Sequence, residues 1–298
     1  MNTTLSAPQA DPNGGLARAD SLVRIHDVLF PSDLSPPSDR AFDHAAFLAE
    51  RFGAMLTIYH AVEVPDPSYA HWAFQSARDI WIQVEKSARE ELTRRAQSLH
   101  VSAEVQVQRA ASVQQALLSF IHDAKPDLVV MATHGREGLS HLMLGSVTES
   151  VFRHSSRPVL CVREPEHGGA LPYRRILLPT DLSLASRLAF PLAGRFARHF
   201  DAEIIAVHVL GHGSSQPYEG EPSEAWLYEF FERDLRGLEI TAQVHRGRVW
   251  ERIVEAARAE RADLIVMSTR GHDSLADRMV GSNTERVVRH APCPVLVA

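Results

Sequence analysis

Met131-Ala-Thr-His-Gly135-Arg-Glu-Gly-Leu-Ser-His-Leu-Met-Leu-Gly145-Ser-Val-Thr148 returns 136 residues later as Met267-Ser-Thr-Arg-Gly271-His-Asp-Ser-Leu-Ala-Asp-Arg-Met-Val-Gly281-Ser-Asn-Thr284. Each copy holds a glycine, nine residues, and then Gly-Ser. The same offset aligns Asp127-Leu-Val-Val-Met131 with Asp263-Leu-Ile-Val-Met267, and Arg157-Pro-Val-Leu-Cys161 with Cys293-Pro-Val-Leu-Val297. Upstream, Leu29-Phe-Pro-Ser-Asp33-Leu-Ser35 matches Leu177-Leu-Pro-Thr-Asp181-Leu-Ser183 at an offset of 148, which His60 and His208 keep. The two offsets differ by 12, so the first copy carries about twelve extra residues between His60 and Asp127. Self-similarity in this order is the mark of a duplicated unit. The expected layout is a disordered extension over 1–20, one unit over 21–165, a linker over 166–172 and a second unit over 173–298.

Within each unit, apolar runs of strand length alternate with amphipathic helical stretches. In the first unit, strands are expected to end at Phe30 and to span Leu56–His60, Glu104–Gln108, Leu128–Ala132 and Val159–Val162. Helices are expected over Ser38–Phe52, Ser76–Leu99, Ser112–His122 and Val147–His154, with Gly53 closing the first. The second unit repeats this with a shorter second helix near Ser223–Leu235. Continuous apolar strands alternating with helices predict an α/β fold, a parallel sheet with helices on both faces.

Composition narrows the function. The chain has 298 residues, 31 Lys+Arg and 37 Asp+Glu, for a formal net charge of −6. That balance argues against a nucleic-acid polymer as partner, because phosphate backbones recruit clustered Lys and Arg. Two cysteines, Cys161 and Cys293, exclude a disulfide framework and a cysteine-based metal cluster. Both are expected at the closing strands as structural thiols. Sixteen histidines carry no H-E-x-x-H or H-x-x-E-H spacing, so no metal site is expected. Apolar runs such as Ile204–Leu210 are far shorter than the roughly 20 residues of a membrane span. The N-terminus lacks a secretory pattern, and the expected setting is the cytoplasm, away from membranes.

In open α/β sheets, ligands bind beyond the carboxyl ends of strands where strand order reverses. Pro31-Ser32-Asp33 and Pro179-Thr180-Asp181 follow the first strand of each unit, and the glycine segments follow the fourth. Gly145-Ser146 and Gly281-Ser282 each open a helix. Glycine permits close backbone approach, and a helix N-terminus offers unpaired N–H groups that hold phosphate well. An alternative needs no ligand: Ser146 with Glu149, and Ser282 with Glu285, fit a capping box. His60 and His208 read as structural. Asp33 either serves a ligand or caps the helix behind it. No Walker A motif occurs, nor the S-G-G-x-D-S or H-I-G-H loops of ATP pyrophosphatases and adenylyl transferases.

Together, the strand–Pro-[Ser/Thr]-Asp start, the Thr-x-Gly-x9-Gly-Ser segment and the closing Pro-Val-Leu strand resemble the universal stress protein family over Ile25–Val162 and Arg175–Ala298. The resemblance implies a Rossmann-like, adenine nucleotide alpha hydrolase-like unit: a five-stranded parallel sheet of order 3-2-1-4-5 with a nucleotide crevice between the first and fourth strands. It implies that the fifth strands of the two units pair around a two-fold axis. The ATP-binding branch of the family carries G-x-x-G-x9-G-[S/T]. Here the second and third glycines are Gly135 and Gly145, or Gly271 and Gly281, while Ala132 and Ser268 hold the first position.

Carried over residue by residue, Pro31, Ser32 and Asp33, and Pro179, Thr180 and Asp181, would face the adenosine. Ala61 and Val209 would line the adenine pocket. Ser146, Val147 and Thr148, with Ser282, Asn283 and Thr284, would meet the phosphates. His134 and Arg270 would stand beside the second glycine, near ribose or phosphate. The implied function is a stress-response regulator that binds ATP, or ADP or AMP, with Mg²⁺. It would act by occupancy and assembly, with no catalytic residue. The alternatives are a ligand-free interaction scaffold and a slow ATP hydrolase. The implied partners are an adenine nucleotide and the other half of the same chain, with a homodimer left open.

Overall fold

Strand β1 (Asp27–Pro31) shows how the layers arise: Val28 and Phe30 point to one face and Leu29 to the other, all fully buried. Side chains alternate along a strand, so a strand whose consecutive central residues are all buried needs cover on both faces. The computed structural model describes residues 24–64, 71–133, 144–163, 171–211, 230–231, 234–269 and 281–298, with backbone alone at 71–78.

The first half runs β1, α1 (Pro36–Phe52), β2 (Met55–Glu63), α2 (His71–Gln97), β3 (Ala103–Ala110), α3 (Val113–Ala124), β4 (Leu128–Ala132), α4 (Ser146–His154) and β5 (Val159–Val162). The second half runs β6 (Arg175–Thr180), a 3₁₀ turn (Ser186–Ala189), α5 (Phe190–Phe200), β7 (Glu203–Leu210), β8 (Ile240–Arg246), α6 (Val249–Ala259), β9 (Leu264–Met267), α7 (Ser282–His290) and β10 (Val295–Val297). The expected extension, most of the linker and most of the helix near Ser223–Leu235 lie outside the described residues. Among the described residues, no helix is long and apolar enough to cross a membrane.

Among the described residues, ten strands form one sheet of order β3-β2-β1-β4-β5-β10-β9-β6-β7-β8. Each half therefore has the expected order 3-2-1-4-5, and its strands are parallel. The halves meet where β5 and β10 pair antiparallel, Leu160 opposite Leu296. Cys161 sits in β5 opposite Val295. Cys293 falls two residues short of β10 rather than in a strand, because the second copy of the motif starts its pairing at Val295. Neither thiol is in a disulfide, both are buried, and burial pushes Cys161 up to about 12.

Helix limits follow local chemistry. Proline opens α1, and Gly53 closes it at φ 64°, donating to the carbonyls of Ala49 and Glu50; a left-handed residue is the common stop for a helix. Ser112 caps α3, its hydroxyl accepting from the Gln115 amide. Asp127 accepts the amides of His26 and Asp27, and Asp263 those of Arg174 and Arg175, so each pins the start of the fourth strand to the first.

Both faces of the joined sheet carry contacts between halves. On one, Phe47 stacks on Phe200 at 5.5 Å and Phe52 packs against Phe196 at 5.4 Å, joining α1 to α5. Buried His44 shares a 2.6 Å hydrogen bond with fully buried Tyr173. On the other, Arg153 of α4 reaches Glu285 of α7 at 2.7 Å and Arg289 reaches Glu149 at 3.8 Å. Each arginine also pairs with the glutamate on its own helix.

Candidate functional site

The two candidate sites lie at the carboxyl ends of β1 and β4, and of β6 and β9. These strands are neighbours from which the chain departs in opposite directions across the sheet, which is where open α/β sheets leave a crevice.

The turn after β1 is tightly tied. The Ser32 amide donates to the Tyr59 carbonyl at 2.8 Å, and the Ser32 hydroxyl oxygen accepts the Leu34 amide at 3.1 Å. Asp33 Oδ1 accepts from the Ser35 amide at 3.0 Å and from its hydroxyl at 2.6 Å. After β6, Thr180 Oγ1 lies 2.8 Å from Ser186 Oγ and accepts the Leu182 amide at 3.0 Å, while Asp181 accepts the Ser183 amide at 3.0 Å. Asp33 does not cap α1. The N-cap residue is Ser35, and Asp33 instead closes a short side-chain turn ahead of it. Both turns hold a leucine in the left-handed region, Leu34 at φ 63° and Leu182 at φ 66°. Such strain costs about 1 kcal/mol or more and persists where surrounding structure enforces it.

His60 and His208 have the structural role expected of them. Each Nδ1 lies within hydrogen-bond distance of the strand-end carbonyl, Ser32 at 2.7 Å and Thr180 at 2.9 Å. They clamp the turn to β2 and β7, whose next residues are half-buried Ala61 and buried Val209. Pro31 and Pro179 are the strand residues leading into these turns.

The fourth-strand side departs from the sequence reading in two ways. First, no capping box forms. Gly145, at φ −60° and ψ 145°, and Gly281, at φ −62° and ψ 140°, are the N-cap residues, and neither helix has a side-chain cap. The Gly145 amide is held by the Thr133 carbonyl and the Gly281 amide by that of Thr269, each at 2.8 Å. That bond places Ser146 and Ser282 inside the first turn, too late to serve as caps. Glu149 and Glu285 turn to arginines instead.

Second, the threonines expected at the phosphates are buried. Thr148 Oγ1 donates to the Ala132 carbonyl at 2.8 Å and Thr284 Oγ1 to the Ser268 carbonyl at 3.1 Å, lacing each helix to its strand. The exposed side chains of these first turns are Ser146 and Ser282, with Val147 and Asn283 half-buried.

Ala132 ends β4 and Ser268 follows β9, and neither has a positive φ. The first position of the glycine pattern thus makes no use of glycine's conformational freedom. Nor does the third: Gly145 and Gly281 have negative φ, and a Cβ built on Gly281 meets the Thr269 carbonyl oxygen at 3.5 Å and Thr284 Oγ1 at 3.8 Å, ordinary contacts. His134, Gly135, Arg270 and Gly271 lie outside the described residues.

Sequence reasoning missed the structural anchors around the site: Asp127 and Asp263 at the strand starts, and Thr148 and Thr284 at the helix starts. Their recurrence at the 136-residue offset was the available signal.

The universal stress protein family model matches residues 24–163 and 172–298. A universal stress protein of Mycobacterium tuberculosis is 27% identical over 293 residues, covering 91% of this chain and 95% of that one. Another, from Methanocaldococcus jannaschii, is 36% identical over 141 residues, covering 42% of this chain and 81% of that one. Among solved structures, a universal stress protein from Archaeoglobus fulgidus aligns with a TM-score of 0.71 at 19% identity, covering 91% of this chain and 97% of that one. With the family pattern matched twice along its length, this chain belongs to the universal stress protein family as a tandem member.

Proposed function

We propose that each crevice binds an adenine nucleotide, ATP foremost, and that the protein signals a stress state in the cytoplasm through occupancy and assembly rather than through turnover. The units that bind are residues 21–165 and 173–298, joined by 166–172.

One observation carries the reading: α4 and α7 both begin on a glycine with no side chain capping their first amides, beside the carboxyl end of the fourth strand. Uncapped N-terminal N–H groups and the partial positive charge of the helix favour a phosphate. The Ser146 and Ser282 hydroxyls and the amides of Val147 and Asn283 would supply donors. Asp33 and Asp181 would face the ribose, and Ala61 and Val209 the adenine. Mg²⁺ would travel with the phosphates, as it does where substrate oxygens and water supply most of its ligands. His134, Gly135, Arg270 and Gly271 would complete the cradles.

Isothermal titration of the nucleotide-stripped full chain with Mg-ATP tests this, with a melting curve alongside. Binding heat and a rise in melting temperature are expected; a ligand at a hundred times its dissociation constant adds about 2.7 kcal/mol. No heat and no shift at millimolar Mg-ATP would leave the ligand-free scaffold. Rapid release of labelled phosphate in a single turnover would overturn the occupancy reading.

A further inference from the structure

The two copies differ beside the residues placed at the adenine. Parallel pairing sets Gln108 of β3 opposite Ala61, and His245 of β8 opposite Val209. Gln108 is exposed and His245 half-buried. Val209 shares its core layer with Ile253, Ala256 and Ala257 of α6. His245 is tied through Gln243 to Glu260 at the end of the same helix, so both side chains stand on the α6 face of the sheet.

That tie fixes where the ring carries its proton. His245 Nε2 lies 2.9 Å from Gln243 Oε1, and Gln243 Nε2 donates to Glu260 Oε1 at 2.8 Å. Glu260 also pairs with Arg175 at 3.3 Å. A carboxylate only accepts, so the Gln243 amino group must face Glu260 and its carbonyl oxygen must face the ring. That oxygen accepts too, so the proton sits on Nε2. Neutral imidazole has one N–H and one bare nitrogen. The bare one is Nδ1, and it has no hydrogen-bond partner among the described residues.

Among the described residues, the first copy has no such relay. Gln108 meets the Tyr59 hydroxyl at 2.7 Å. A hydroxyl both donates and accepts, so the carboxamide can turn over and offer either its oxygen or its amino group. The place of β3 and β8 at the two edges of the sheet accounts for a polar residue at each position. It does not account for a ring whose single donor is turned onto Gln243 and, through it, Glu260, because a solvated edge histidine needs no fixed tautomer.

We propose that His245 sets the base specificity of the second crevice, its bare Nδ1 selecting a 6-aminopurine over a 6-oxopurine, while the first crevice, with Gln108, takes either. This rests on the reading of the crevices as nucleotide sites. Adenine carries an amino donor where guanine carries an oxygen acceptor. A fixed acceptor pairs with the first and meets only lone pairs on the second. A site that loses its hydrogen bond in this way rejects the wrong ligand. The Gln108 carboxamide turns to suit either group.

The test titrates the full, nucleotide-stripped chain with Mg-ATP and Mg-GTP at about pH 8, above the ordinary histidine range. The two ligands share ribose and triphosphate, so only the base is varied. Photolabelling with the 8-azido analogue of each, mapped by mass spectrometry, assigns binding to its half. Both halves should bind ATP. The second should bind GTP roughly tenfold or more weakly, the worth of about one hydrogen bond, while the first should bind the two alike. His245→Gln, which copies the first half, should admit GTP to the second half, and His245→Leu should level the two nucleotides there by weakening ATP. A merely structural role would weaken both nucleotides alike and keep their ratio. A second half that binds ATP no more tightly than GTP, or a preference that survives both substitutions, would overturn the proposal and leave the crevice reading standing. Binding of neither nucleotide in either half would overturn both.

Discussion

Acid should loosen the seam between the halves through one buried pair. His44 is 9% exposed, shares a 2.6 Å hydrogen bond with Tyr173, and is held by burial down to about 4 from an ordinary 6.5. Unfolded, the same imidazole takes its proton near pH 6.5. Between these values the unfolded chain binds a proton that the folded chain refuses, so stability falls as pH drops from 6.5 towards 4 and is unaffected by this group above that window. Integrated from pH 7.0 to pH 4.5, the loss is roughly 2 kcal/mol.

Other groups titrate over the same range, so the comparison is with His44→Leu, Tyr173→Phe. That double variant removes both polar partners together and leaves neither buried without its mate, a change that can be nearly neutral. Urea unfolding followed by circular dichroism at pH 7.0 and 4.5 gives the loss for each protein. The parent should lose about 2 kcal/mol more than the double variant. Equal losses would refute the reasoning, because they would mean that His44 is protonated in the folded state at little cost.

Gly281→Ala, and likewise Gly145→Ala, should fold with stability within about 0.5 kcal/mol of the parent, since a weaker N-cap is offset by a less flexible unfolded chain. Titration calorimetry should nevertheless show Mg-ATP binding weakened about tenfold or more, some 1.4 kcal/mol per decade, because the methyl group intrudes where the phosphates approach. Thr284→Val deletes the hydroxyl that donates to the Ser268 carbonyl at 3.1 Å and should cost about 1–3 kcal/mol; Thr284→Ser should recover most of it in the same thermal melts. Glu149→Gln with Glu285→Gln removes the acids of the α4–α7 quartet, whose members are 23–35% exposed. The loss should be about 1 kcal/mol at low salt and should shrink in 1 M salt, as read from urea midpoints.

The fold was legible because its signals are periodic and come twice. Leu128–Ala132 and Val159–Val162 were bounded correctly by their apolar runs, and Gly53 marked the end of α1. Helix starts read less well, since they depend on where a neighbouring strand grips the backbone. Ser146 looks like a cap until the Thr133 carbonyl takes the Gly145 amide and advances the helix by one residue. The roles of Thr148 and Thr284 were hidden for a similar reason: a hydroxyl in a first turn can serve a ligand or a carbonyl, and only the tertiary approach of the fourth strand decides. The His44–Tyr173 pair joins residues 129 apart in the chain and leaves no local pattern at all.

The antiparallel seam between β5 and β10 has a consequence for mass action. Two separate chains meeting along such strands would part on dilution. Here a short tether between Val162 and Arg175 keeps the partners at an effective concentration in the millimolar range, whatever the abundance of the protein. It also lifts a constraint that symmetry imposes. In a pair of identical chains every substitution appears twice and must suit both positions, whereas in the tandem chain each copy drifts alone. The second copy has Trp250, Arg258 and Arg286 where the first has Gln114, His122 and Ser150. One seam thus makes the pairing of the halves independent of expression level and leaves each copy free to change on its own.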